Sequence, residues 1–197
     1  MEYDAIYIIT IILIIIYFKK RCGKGTYTYK NGDIYEGDWK ENQKHGLGLI
    51  KYLNEGEYFG RFENGRRHGE GVFTYKKTND TYSGFWKYGN KHGEGIYTFN
   101  SSKLKLCGDW ENGNFIKGKW IFPNGIYWQG EFKKNKPQGI GRWIFPDGNT
   151  VEGKFTQLED EEAEPLPETD EKPIKLNWST TTKIYNPDAF EDLDINF

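Results

Sequence analysis

Three histidines, His45, His68 and His92, are the side chains of this sequence best suited to chemistry, and each is followed by glycine. Imidazole ligates zinc and moves protons near neutral pH. Subtraction puts them 23 and 24 residues apart, always in the setting Lys/Arg-His-Gly. They therefore occupy one slot of a repeated unit. If each unit adds two strands to a sheet, equivalent atoms fall about 10 Å apart, and zinc bonds of about 2 Å cannot bridge that. The expectation is no metal, with each histidine helping to fix the turn before its glycine. Gly23-Lys24-Gly25-Thr26 echoes a phosphate loop, but the full spacing is absent and a strand follows rather than a helix. Cys22 and Cys107 have neither zinc spacing nor a triad partner, and such sparse cysteine suits a reducing compartment. Neither a nucleophile motif nor a carboxylate pair stands out, so no catalysis and no cofactor are expected.

The elements that carry these residues repeat. The unit beginning at Tyr35 returns at Tyr58, Tyr82, Leu106, Trp128 and Val151, steps of 23, 24, 24, 22 and 23 residues by subtraction. A period of this length over most of a chain marks a repeat array. Units open on aromatic-x-Gly-x-aromatic, as at Tyr35, Tyr58 and Tyr82, and close on Gly-x-aromatic-x-aromatic, as at Gly71, Gly95, Gly118 and Gly141. Large side chains at every second position share one face of a strand. The polar link between the runs reads as a turn. Asn31-Gly32, Asn124-Gly125 and Asp147-Gly148 separate units with the positive φ angles a tight hairpin needs. The expected fold is all-β: a single-layer, twisted antiparallel sheet of stacked hairpins. The glycine between two rings is expected to leave room for a ring of the neighbouring strand.

The Tyr-x-Gly-x-Trp/Phe … His-Gly-x-Gly pattern resembles the MORN repeat (membrane occupation and recognition nexus), over roughly residues 22–155. The resemblance implies a curved, groove-shaped β-solenoid with no active site. Its structural slots fall on Tyr35, Gly37, Trp39, His45, Gly46 and Gly48, then on Tyr58, Gly60, Phe62, His68, Gly69 and Gly71. They continue through Tyr82, Gly84, Trp86, His92, Gly93 and Gly95 to Gly108, Trp110, Gly130 and Phe132. In the order of its units the chain resembles the MORN subunits of ciliary radial spoke heads. A run at 79–86 is followed by a degenerate unit without its His-Gly step, a Trp-Gln-Gly-Glu-Phe unit at 128–132, and an acidic stretch leading to Trp178. That resemblance implies an axonemal scaffold, with other spoke-head subunits, the central-pair projections and paired copies as partners.

The net charge of −2 hides a split. Residues 19–158 carry 24 Lys/Arg against 15 Asp/Glu, whereas 159–197 carry 3 against 12. A basic sheet with an acidic tail suits self-contact or two different partners. Contact is expected through Arg66, Arg67, Lys91, Lys133 and Lys134 in the turns and Trp178 in the tail, with a broad charged face on the sheet. Acidic phospholipid at the same basic turns is the alternative. Nucleic acid is not expected, because the rings that would stack bases occupy core slots.

Three segments follow: 1–21, 22–157 and 158–197. The first holds a 14-residue apolar run, Ala5 to Phe18, too short for the roughly 20 residues of a bilayer span. It reads as a non-native start, a strand or an anchor, and its Ile/Tyr composition favours strand over helix. In the third, 159–171 reads as a disordered linker. The stretch around Trp178 reads as a docking strand, and the end either as a partner-binding tail or as a floppy one.

Overall fold

The computed structural model describes residues 2–18, 20–159 and 173–181, with the side chains of 6–14 in the first stretch. Of the expected linker only Glu159 is described, at the end of a strand; the rest of it and the final tail lie outside the described residues. A helix, α1 (Glu2–Phe18), precedes the strands. This corrects the strand expectation. A helix satisfies its backbone polar groups internally, whereas an isolated strand needs a neighbour.

Two compact units follow. The first holds β1 (Gly23–Thr28), β2 (Ile34–Lys40), β3 (Gln43–Tyr52), β4 (Gly56–Glu63), β5 (Arg66–Tyr75), β6 (Thr81–Lys87) and β7 (Asn90–Thr98). The second holds β8 (Lys105–Glu111), β9 (Asn114–Ile121), β10 (Tyr127–Lys133), β11 (Lys136–Ile144), β12 (Thr150–Glu159) and β13 (Ile174–Thr180). Within each unit the strands are antiparallel and hydrogen-bonded in chain order. The fold is the all-β antiparallel sheet of hairpins that the repeat predicts.

The tightest turns lie inside each repeat. Glu41-Asn42, Asn64-Gly65 and Tyr88-Gly89 each place two successive residues at positive φ, the two-residue hairpin geometry that matches strand twist. The turns between repeats differ from expectation. In Tyr29–Asp33 only Gly32 has positive φ, Gly32 N–H donates to Tyr29 O at 3.0 Å, and Tyr29 N–H donates to Asp33 O at 2.8 Å. That is a three-residue loop, and the loops at Gly125 and Gly148 repeat it.

The His-Gly step also differs. It forms a β-bulge within the strand. Gly37 pairs with Gly48 but Asp38 pairs with His45, leaving Gly46 and Leu47 as extra residues. Gly46 sits at φ 59, a left-handed state that glycine takes without strain. Gly69, Gly93 and Gly139 repeat the device.

Glycines also align across the strands. In the first unit Gly25, Gly37, Gly48, Gly60, Gly71, Gly84 and Gly95 are successive register partners. The ring above each glycine pair comes from the hairpin itself. Tyr35, Tyr58 and Tyr82 lean along their own strands, and their hydroxyls donate to the carbonyls of Asp38, Arg61 and Phe85 at 2.8, 3.0 and 3.0 Å. A Cβ on Gly37 would fall 2.6 Å from the Tyr35 oxygen, and one on Gly48 within 2.6 Å of that ring. The expectation for the glycine between two rings therefore fails at Gly37, whose ring comes from its own strand; a neighbouring strand's ring lies instead over its register partner Gly48. These tyrosines are fully buried and meet Trp39, Phe62 and Trp86 edge to face, as in Tyr58–Phe62 at 5.2 Å and 90°, each such pair worth about 0.5–1.5 kcal/mol.

A second ladder sets the repeat length. The N–H of Asn42, Gly65, Gly89 and Gly113, the second residue of each tight turn, donates to the carbonyl of Arg21, Lys44, Arg67 and Lys91 at 2.9–3.1 Å. Each turn is thereby fastened to the repeat before it. In the second unit Trp128 replaces the tyrosine over Gly130 and Gly141, and its Nε1 is buried without a hydrogen-bond partner. Trp178 of β13 fills the space over Gly153 and packs on Phe155 at 4.8 Å. The Trp178 segment thus docks as a strand, as its sequence predicts.

Candidate functional site

On the ring face of the first unit, Arg21, Lys44, Arg67 and Lys91 occupy one slot of successive repeats. Their cations lie against rings: Arg21 is 4.2 Å from Trp39, Arg67 is 4.5 Å from Trp86, and Lys91 is 4.9 Å from Tyr97. Arg67 also donates to Gly89 O at 2.8 Å. Burial lowers the Lys44 pKa and lowers that of Lys91 to about 8, with the nearby Arg67 charge acting in the same direction. The guanidinium groups placed over Trp39 and Trp86 stabilise the sheet, whereas the buried Lys91 ammonium costs folding free energy by desolvation. Two of the five predicted basic contacts, Arg67 and Lys91, are therefore engaged within the fold. Arg66, Lys133 and Lys134 are exposed at turns. Trp178, predicted as a partner contact, holds the chain's own β13. In the second unit the same slot carries buried Phe115 and Pro137.

The opposite face of the first unit departs from the charged surface expected. Leu47 (51% exposed), Phe59 (54%), Val72, Phe85 and Ile96 stand open to solvent. Leu49 faces Phe59, and Phe59 faces Val72 across neighbouring strands. Two depressions of about 500 Å³ each share Leu47 and Phe59. Their floor is the backbone of Gly25, Gly37, Gly48, Gly60, Gly71 and Gly84, and Lys24, Glu36, Arg61 and Glu70 stand at their sides. Together they form a groove across β1–β6, apolar along its middle and mixed in charge at its margins. Single apolar residues on a surface are ordinary, whereas a contiguous patch marks an interaction site.

These groove residues escaped the sequence reading, although a signal was present. Phe59 and Phe85 sit in the x positions of Tyr-x-Gly-x-Phe and Tyr-x-Gly-x-Trp, where a solvated face calls for polar residues. The histidines stay apart. His45 pairs with Asp38, and His68 Nε2 lies 3.2 Å from Glu63. Among the described residues no group of three or more His, Cys, Asp or Glu is placed to hold a metal ion. Within each unit the predicted glycine and ring slots come together as two rows. The tyrosines and glycines form the floor, and Trp39, Phe62, Trp86, Trp110 and Phe132 are buried beside them.

An array of hairpins whose rings pack on one face and whose other face lies open is a β-repeat scaffold. The sequence profile described as MORN repeat matches residues 18–34, 35–54, 58–79, 82–102 and 128–150, just over half of the chain. The chain belongs to the MORN-repeat family. The unit lacking the His-Gly step falls between the matched segments. No curated protein matches the chain.

Proposed function

We propose that this chain is a non-catalytic scaffold that gathers protein partners along the groove of its first unit, and that it serves in the ciliary radial spoke head. The exposed row of Leu47, Phe59, Val72 and Phe85 carries the first part, because a sheet face meant only for water has no reason to be apolar there. Apolar contact supplies affinity, and Lys24, Glu36, Arg61 and Glu70 at the margins supply orientation. The order of the repeats and the Trp-centred segment after an acidic stretch support the spoke-head assignment. On that reading the partners are other spoke-head subunits and the central-pair projections, and the location is the axoneme.

Affinity purification of the tagged chain from isolated motile cilia tests this. Recovery of spoke-head subunits, lost with Phe59→Glu, is the expected result. Recovery unaffected by Phe59→Glu would reject the groove, and recovery of no axonemal protein would reject the spoke head. Lipid binding through the basic turns keeps only Arg66, Lys133 and Lys134 of its predicted residues.

A further inference from the structure

We propose that α1 is an in-plane membrane anchor, embedded along its length in the acyl layer of one bilayer leaflet. The proposal is independent of which assembly the scaffold serves. Ile6, Ile8, Ile9, Ile11, Ile12 and Leu13 are each 40–63% exposed, and at 3.6 residues per turn these positions sample every side of the helix. A helix apolar all round belongs in a large core or in lipid. A sheet face or a single partner helix covers one stripe and leaves the rest wet.

The polar content of the described side chains of the helix is small, the Tyr7 phenol, 69% exposed, and the hydroxyl of Thr10. The Thr10 hydroxyl donates to Ile6 O at 2.8 Å, so it is satisfied within the helix and asks nothing of its surroundings. Length then decides the orientation. Seventeen residues make about 25 Å at 1.5 Å per residue, short of a hydrocarbon core of about 30 Å. Among the described residues no helix is long and apolar enough to cross a membrane. Charged residues stand at both ends, Glu2 and Asp4 before the run and Lys19, Lys20 and Arg21 after it. Lying in the plane lets both ends reach the headgroups, whereas insertion end-on would bury the acidic end.

The junction is fixed to the sheet. Arg21 N–H donates to Asn42 Oδ1 at 2.8 Å and Asn42 N–H returns to Arg21 O at 3.1 Å. The chain between α1 and the sheet is thereby held at the edge of the first unit that carries the tight turns. That edge also presents Tyr88, 66% exposed at φ 53, a backbone state that bulky residues rarely take, with the Lys87 ammonium 5.8 Å from its ring. An exposed tyrosine beside a cation suits the headgroup level of a bilayer. Lys20 is paired with Glu41 at 3.7 Å and Arg21 is stacked on Trp39, so apolar burial rather than charge drives the binding.

Flotation of the full chain with neutral phosphatidylcholine vesicles tests this. The wild type is expected to float at low and at high salt, and Ile9→Asp/Ile12→Asp to partition at least about tenfold less, with unchanged thermal unfolding of the sheet. A fluorophore on Ile12→Cys, in a Cys22→Ser/Cys107→Ser background, is expected to shift to the blue when vesicles are added. Undiminished flotation of the double variant, a requirement for anionic lipid, or an unshifted fluorophore would each overturn the proposal. So would copies associating through α1 in sedimentation velocity without any flotation.

Discussion

The hydroxyl of Tyr58 donates to the carbonyl of Arg61 at 3.0 Å, and this bond draws the ring over Gly60 and its cross-strand partner Gly71. A Cβ at Gly60 would lie 2.5 Å from both the Gly71 Cα and the Tyr58 oxygen, and 2.7 Å from Glu70 O. Two of the three are backbone atoms and cannot swing aside. Gly60→Ala is expected to cost about 1–3 kcal/mol in chemical denaturation. Gly65→Asn is the control. A side chain there meets nothing within 4 Å, its φ is +79, and asparagine tolerates that state, so the change stays within about 0.5 kcal/mol. Equal effects at both sites would refute the close-packed glycine row.

The same hydroxyl has a measurable worth. Tyr58→Phe removes one buried hydrogen bond and is expected to cost about 1 kcal/mol. Trp128 holds the equivalent position in the second unit with Nε1 unpartnered. Trp128→Phe therefore loses contact volume alone, and the indole N–H adds nothing to its cost. A double-mutant comparison of Tyr58→Phe with and without Gly60→Ala reads the coupling directly, and additive effects would count against a shared site.

Asp80 gives the first unit an acid-sensitive point. It is 7% exposed. Burial pushes its pKa up, but the Asn100 N–H at 2.7 Å, the Tyr97 hydroxyl at 2.9 Å and Thr78 outweigh that, and the net shift is downward from 3.8. A folded value below the unfolded one means that its stabilisation is fully present above pH 3.8 and is lost as pH falls through the folded value. Asp80→Asn is expected to cost about 1–3 kcal/mol at neutral pH and to flatten the acid limb of melting temperature against pH. An acid limb unchanged by the substitution would exclude this role.

Sequence and structure agree most where the pattern is repeated. Ring-glycine-ring spacing fixes which side chains share a face, so the hairpins, their order and the buried tyrosines and tryptophans were legible. What was not legible depends on small departures from the period. Gly46 looks like a turn residue, and only the register of β2 against β3 shows it as a bulge. Arg67 reads as a surface cation until Trp86 and Phe73 are seen beneath it. The Ile-rich start has strand composition, yet with no neighbour to pair it becomes α1. The groove was hidden because Phe59 and Phe85 resemble further core rings until parity is counted along the strand.

Lys91 tests the cation column. Burial, reinforced by the Arg67 charge, lowers its pKa from 10.5 to about 8. The unfolded chain therefore holds this proton more tightly than the folded one. The resulting penalty on folding is fully present below pH 8 and is relieved as pH rises from about 8 to 10.5. Lys91→Met keeps the stem and removes the charge. It is expected to be more stable than the wild type at pH 7, with the difference narrowing across that window in denaturation curves. A less stable variant at pH 7 would show that the contacts with Tyr82 and Tyr97 outweigh desolvation.

The last strand carries a cost and a benefit that can be separated. β12 offers ten residues of backbone, Thr150–Glu159, with Val151, Gly153 and Phe155 buried on its ring side. β13 pairs along it from Gly153–Thr180 to Glu159–Ile174, with Thr181 N–H donating to Glu152 O at 3.0 Å. Trp178 packs on Phe155 and stands 6.3 Å from Trp143. An uncovered strand of that length is a template for pairing with another chain. Ending the chain at residue 159 is therefore expected to produce concentration-dependent association in sedimentation velocity. Trp178→Ala removes the ring but leaves the strand. It is expected to cost about 2 kcal/mol and to speed hydrogen exchange along β12 with the protein still monomeric. If Trp178→Ala associates as readily as the shortened chain, the ring rather than the backbone pairing is what protects the edge.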